Sequence, residues 1–95
     1  MATAPEISED IGSLLAALER LGFTVEDSRY DAQAFGNFYV DVSGSRGRFR
    51  IVKDRLQYMI DAKSLAQIKL SGMFRAFDSR DEFAAAVLGY ARTVV

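Results

Sequence analysis

A small α+β domain is the fold this sequence predicts: a single antiparallel sheet, a meander of three to five strands, with an N-terminal and a C-terminal helix packed on one face. Three observations predict it. Between Phe35 and Ala62 apolar and polar residues alternate, broken only by short turns. Apolar residues recur at helical spacing before that stretch and again after it. Two amphipathic helices need an apolar surface to cover, and one side of the alternating strands supplies it.

The chain opens with residues 1–6, expected to be flexible. Ser8 reads as a helix N-cap, with Glu9 and Asp10 adding negative charge to the first turn. Ile11, Leu14, Leu15, Leu18 and Leu21 follow the i, i+3, i+4, i+7 stripe, and Gly22 fits a left-handed stop. Phe23 to Glu26 reads as a short strand, with Phe23 and Val25 pointing the same way. Asp27 to Ala34 is polar and reads as a loop.

The meander follows. Phe38, Val40 and Val42 alternate with Asn37, Tyr39, Asp41 and Ser43; Phe49 and Ile51 alternate with Arg48 and Arg50; Leu56, Tyr58 and Ile60 alternate with Gln57, Met59 and Asp61. The apolar set is the core face. Taking Gly44-Ser45 as a two-residue loop pairs Val40 with Phe49, Asp41 with Arg48, and Tyr39 with Arg50. A four-residue loop preserves the facing and shifts the pairs by two. Taking Asp54-Arg55 as the next loop pairs Arg48 with Asp61 and Arg50 with Met59.

Beyond the meander, Ser64 to Leu70 reads as a helical turn and Met73 to Phe77 as a further short strand. Ser79, with Glu82 three residues on, forms a capping-box pattern. Phe83, Val87, Leu88, Ala91, Val94 and Val95 form the stripe of the last helix, and Ala84 to Ala86 raise its propensity.

Composition narrows the function. Ninety-five residues, 49% apolar and 26% charged, make one domain spanning residues 1–95. The chain has no cysteine and no histidine. Thiolate nucleophiles, disulfides, Cys- or His-based metal sites and His-dependent triads are therefore excluded, and we expect no enzyme activity, no cofactor and no metal. No apolar run is long enough to cross a bilayer, and the first six residues lack a basic and apolar leader pattern, so the expectation is a cytoplasmic protein without membrane partners. Residues 1–45 hold eight acids and two bases, whereas residues 46–75 hold eight bases and two acids. Such asymmetry marks either a partner surface or two parts that neutralise each other.

The open side of the sheet holds the candidate partner-binding residues Tyr39, Asp41, Arg48, Arg50, Gln57 and Met59. On the two-residue register Arg48 lies between Asp41 and Asp61 as a ladder of ion pairs. Arg50 lies between Tyr39 and Met59, its guanidinium over the tyrosine ring. An arginine with an aromatic and a methionine has the composition of interface centres. The run Arg46-Gly47-Arg48-Phe49-Arg50-Ile51 resembles the basic-Gly-aromatic strand of RNA-recognition sheets, but those need aromatics on the open face and Phe49 points inward. The Phe35-Gly36-Asn37 opening and the Val52, Asp54, Arg55, Gln57 turn resemble small bacterial proteins, a likeness that implies no activity. The expected function is a protein-binding module, in size and architecture like an immunity-type inhibitor or a secretion chaperone. The alternatives are RNA or single-stranded DNA binding through Arg46 to Arg55, and a homodimer of structural role.

Overall fold

The computed structural model describes residues 3–33, 36–45, 47–62 and 76–93. These form helix α1 (Pro5–Arg20), strands β1 (Thr24–Asp31), β2 (Asn37–Gly44), β3 (Gly47–Asp54) and β4 (Gln57–Ala62), and helix α2 (Arg80–Thr93). The strands make one antiparallel sheet in the order β1-β2-β3-β4. Both helices lie on the same face of it, and among the described residues the other face is open. The α+β meander read from the alternation is therefore the fold, with four strands among the described residues. No helix among the described residues is long and apolar enough to cross a membrane.

Helix α1 begins earlier than Ser8. Pro5 takes the first helical position, where its missing N–H costs nothing, and the Ala4 carbonyl accepts from the amides of Ile7 (3.0 Å) and Ser8 (3.1 Å). Ser8 lies inside the helix, its hydroxyl hydrogen-bonded with that of Thr3 at 2.8 Å. The helix kinks at Ile11 (φ −123°, ψ 19°), directly before the Gly12-Ser13 pair. Its end follows the expectation. Gly22 sits at φ +100°, the Phe23 amide reaches back to the Leu18 carbonyl at 3.0 Å, and the last-turn carbonyls are satisfied in a Schellman arrangement.

Strand β1 is longer than the sequence suggested. Residues 27–31, read as loop, continue the strand and pair with β2. The reason is a bulge: the register shifts between Val25 and Asp27, so Glu26 is an extra residue and the inward positions become Val25, Ser28 and Tyr30. A break in period at a polar edge strand conceals the strand from a pattern search.

Both hairpin loops fall one residue later than predicted. Gly44 pairs with Gly47, and Asp54 pairs with Gln57. The second loop is Arg55-Leu56, both left-handed at φ +50° and +70°. That is the type I′ geometry whose twist suits a two-residue hairpin. Leu56, expected inward, is consequently the turn tip and 70% exposed. Gly44 has its own constraint: a Cβ there would stand 2.9 Å from the Phe23 ring.

The facing itself is as read. Phe38, Val40, Val42, Phe49, Ile51, Tyr58 and Ile60 are buried, with Ile7, Ile11, Leu14, Leu15 and Leu18 of α1 and Phe83, Val87, Tyr90 and Ala91 of α2 above them. Edge-on aromatic contacts chain Phe23, Phe49 and Tyr90 at centroid distances of 5.5 Å, while Tyr58 stacks on Phe83 at 5.4 Å. The inward cross-strand pairs are Val42 with Phe49, Val40 with Ile51, and Ile51 with Ile60. At α2 the Ser79 hydroxyl accepts from the Glu82 amide at 3.2 Å, as the capping pattern required. Phe77 exchanges backbone hydrogen bonds with Tyr58 (2.8 and 2.7 Å), an isolated antiparallel bridge against β4. The proposed turn at 64–70, and Met73 to Arg75 of the proposed strand, lie outside the described residues, as do Val94 and Val95.

Candidate partner-binding face

Because pairing is antiparallel and unbroken from β2 to β4, outward side chains line up in rows across the sheet. One row runs Arg29, Tyr39, Val52, Met59. The next runs Asp27, Asp41, Arg50, Asp61. A third holds Thr24, Ser43 and Arg48. Successive rows are two residues apart along each strand, which is about 7 Å. The face thus carries an apolar row beside a charged one.

Arg50 joins the two rows. Its Nε donates to Asp41 Oδ1 at 2.7 Å and its Nη2 to Asp41 Oδ2 at 3.1 Å, a bidentate fork. The same guanidinium lies 4.0 Å from the centroid of the Tyr39 ring. Asp41 holds the Arg50 proton more tightly than in free arginine, the hydrogen bond being the largest cause. Tyr39 is fixed from the other side, its hydroxyl donating to Asp27 Oδ2 at 3.2 Å. The aromatic ring and the guanidinium are therefore oriented before anything binds.

The predicted residues share this face, but the register redistributes their partners. Arg50, not Arg48, stands between Asp41 and Asp61, because both loops begin one residue later than read. Arg48 instead faces Ser43 and reaches Glu26 at 3.8 Å, while Glu26 also bonds the Ser43 hydroxyl. Met59 lies directly opposite Val52 rather than Arg50. The stack of Arg50 on Tyr39 survives as a diagonal contact. Gln57 reaches sideways, its Nε2 donating to Asp78 Oδ1 at 2.8 Å, and so ties β4 to the approach to α2.

The pattern reading placed Asp61 on this face without counting it or Val52 as a candidate, and it missed Asp27 altogether. Asp27 lay beyond the bulge. Val52 was signalled by its parity with Arg48 and Arg50, an apolar residue on an outward position. It also missed a second polar cluster, on the opposite face. Lys53 has the parity of Phe49 and Ile51 and points toward the helices, opposite Phe38 and Tyr58. Its Nζ donates to Asp10 Oδ2 at 2.6 Å, and the Tyr58 hydroxyl donates to Asp10 Oδ1 at 2.7 Å. Partial burial disfavours the charged amine, yet the Asp10 hydrogen bond and charge outweigh it and raise the Lys53 pKa. Burial first, and the bond to Asp10 second, raise that of Tyr58. A run of inward apolar residues ending in lysine was the available signal.

No group of three or more carboxylates converges as a metal site among the described residues. Comparison with known proteins found no matching family model, no matching curated protein and no matching solved structure.

Proposed function

We propose that this protein is a non-enzymatic, cytoplasmic protein-binding module that covers a partner with its open sheet face, on the scale of an immunity-type inhibitor or a secretion chaperone. One observation carries the reading: Tyr39, Val52 and Met59 form an outward row with Arg50 stacked on the tyrosine and locked by Asp41. Rigid aromatic and arginine anchors ringed by polar groups are what interface centres consist of, and holding them in place beforehand lowers the ordering cost of binding.

The alternatives receive less support from the same residues. For nucleic acid, Arg48, Arg50 and Lys53 already face Glu26, Asp41 and Asp10 within the chain. Strand pairing into a homodimer through β1 meets an edge with a bulge and with Glu26, Asp27, Arg29 and Asp31, the features that discourage such addition.

The test is affinity purification of the tagged protein from its native cells, with bound protein read by mass spectrometry and nucleic acid by absorbance. A stoichiometric protein should be recovered, and Tyr39→Ala or Arg50→Ala should lose it while melting close to the unmodified chain. If both variants retain the partner, the face is not the binding surface.

A further inference from the structure

The open face also carries information on the chemistry of what it binds, an argument that rests on the binding reading above. Across all four strands the charged row is Asp27, Asp41, Arg50, Asp61: three carboxylates and one guanidinium. Asp27 and Asp41 are directly opposed on neighbouring strands. Like charges so placed destabilise a sheet. Arg50 answers only part of this, because its fork is spent on Asp41 and its plane on Tyr39. Asp61 is exposed, and no hydrogen bond or ion pair closer than 4 Å reaches its side chain from the described residues. Over this row lies an open depression of about 460 Å³, lined by Glu26, Asp27, Asp41, Arg48, Phe49, Arg50 and Asp61. Counting every outward strand position and the bulge, the described face presents six carboxylates (Glu26, Asp27, Asp31, Asp41, Asp54, Asp61) against Arg29, Arg48 and Arg50.

We infer that the occupant is a protein segment that sets a lysine or arginine into this depression and an apolar or aromatic side chain on the Tyr39–Val52–Met59 row. The two rows are about 7 Å apart, the spacing of side chains i and i+2 on an extended strand. The incoming cation relieves the Asp27–Asp41 opposition and gives Asp61, which Arg50 attracts only through space, a direct partner. The charges of the described face favour a cationic side chain over a phosphate at this position. A second copy of this face meets the same repulsion, so self-association through it is disfavoured.

The probes are three short synthetic peptides of equal length. One alternates Lys with Leu and Tyr; the others replace every Lys by Ser or by Glu. Each is titrated into the ¹⁵N-labelled full chain at low and at high salt while amide shifts are followed. The Lys peptide should shift Tyr39, Arg50, Met59 and Asp61 together, and weaken as salt screens the charges. Asp27→Asn and Asp61→Asn should each weaken it about threefold, with spectra otherwise those of the folded protein. Equal shifts with the Ser peptide would overturn the cationic partner and leave the face as a docking surface. Shifts spread evenly onto Glu6 and Glu19 of α1, preference for the Glu peptide, or no shift on the face at all would each overturn the inference. In those cases a native partner lost on Tyr39→Ala would still sustain the binding reading, so the two failures are distinguishable.

Discussion

Strand β3 carries two trios of the same chemistry on its two faces, and they do different work. Arg50 joins Asp41 and Tyr39 on the open side; Lys53, three residues on, joins Asp10 and Tyr58 on the helix side. The outer trio links neighbouring strands that the sheet already holds together. The inner trio links residues 43 and 48 positions apart and fastens α1 to β3 and β4. Exposure differs accordingly: side chains of Lys53 and Asp10 are 20% and 14% exposed, those of Arg50 and Asp41 43% and 26%. An ion pair that closes long-range contacts in a drier site contributes to the fold. One laid over an already paired ladder contributes little, and its value lies in what it presents to an incoming partner.

The sharpest way to break this contrast is at Asp10. Asp10→Ala removes the acceptor of both Lys53 and Tyr58 and leaves a half-buried ammonium without its counter-charge. We expect a loss of about 2 kcal/mol in urea unfolding, between the values for exposed and fully buried pairs. Alkali probes the same trio. Folding raises the pKa of both Lys53 and Tyr58, so their stabilisation is fully present below the unfolded values near pH 10. It is lost as pH rises through the higher folded values, where the amine loses its charge and the phenol acquires one. Buried Tyr90 shifts the same way, so the diagnostic is the difference between the two proteins. Stability should fall less steeply above about pH 10 in Asp10→Ala than in the parent chain. Equal slopes would mean that the inner trio is no clasp.

The outer trio should show the reverse. Tyr39→Ala or Arg50→Ala should weaken partner binding at least tenfold, the loss typical of an interface anchor, with the thermal midpoint little changed. A variant that unfolds the protein would make the two trios equivalent and end the comparison.

How much of this could be read in the sequence follows from the period of a strand. Alternation settles which face a residue occupies, and a shift of register by two leaves that unchanged. Tyr39, Asp41, Arg48, Arg50, Gln57 and Met59 were therefore placed on the outward positions, and Phe49 and Ile51 on the core side, from pattern alone. Which outward residue meets which depends on where each loop starts, and Gly44-Ser45 and Asp54-Arg55 set both loops one residue early. The chain instead places Arg55 and Leu56 at positive φ, braced by Asn37, whose Oδ1 accepts from the Arg55 amide (3.0 Å) and whose Nδ2 donates to Asp54 (3.1 Å). That support comes from a strand 18 residues upstream and has no local signature. Asp10 to Lys53 is the same case at greater range.

This turn also offers a smaller test, because it ends the strand that carries both trios. Leucine at φ +70° is disfavoured by its Cβ, and at 70% exposure its side chain contributes little to the core. Leu56→Gly should therefore stabilise the protein by up to about 1 kcal/mol, seen as a higher thermal midpoint, and leave the alkaline slope set by Lys53 and Tyr58 as it was. Destabilisation instead would mean that the side chain packs in solution, and the hairpin end would then belong with the inner cluster.

The smallest expected effect discriminates best between the two registers. Had the loops fallen at Gly44-Ser45 and Asp54-Arg55, Arg48 would stand between Asp41 and Asp61 and Arg50 would not. In the structure Arg48 is 65% exposed and 3.8 Å from Glu26, a loose pair at the margin of the face. Arg48→Ala should thus change unfolding by less than about 0.5 kcal/mol. Its effect on binding should be confined to the association rate at low salt, as for a rim charge. Measured beside Arg50→Ala by the same titration, it separates a face organised on Arg50 from a diffuse basic strand. In the first case only Arg50→Ala slows binding at high salt or speeds release. In the second the two arginines would be interchangeable, and the charged row would have no centre.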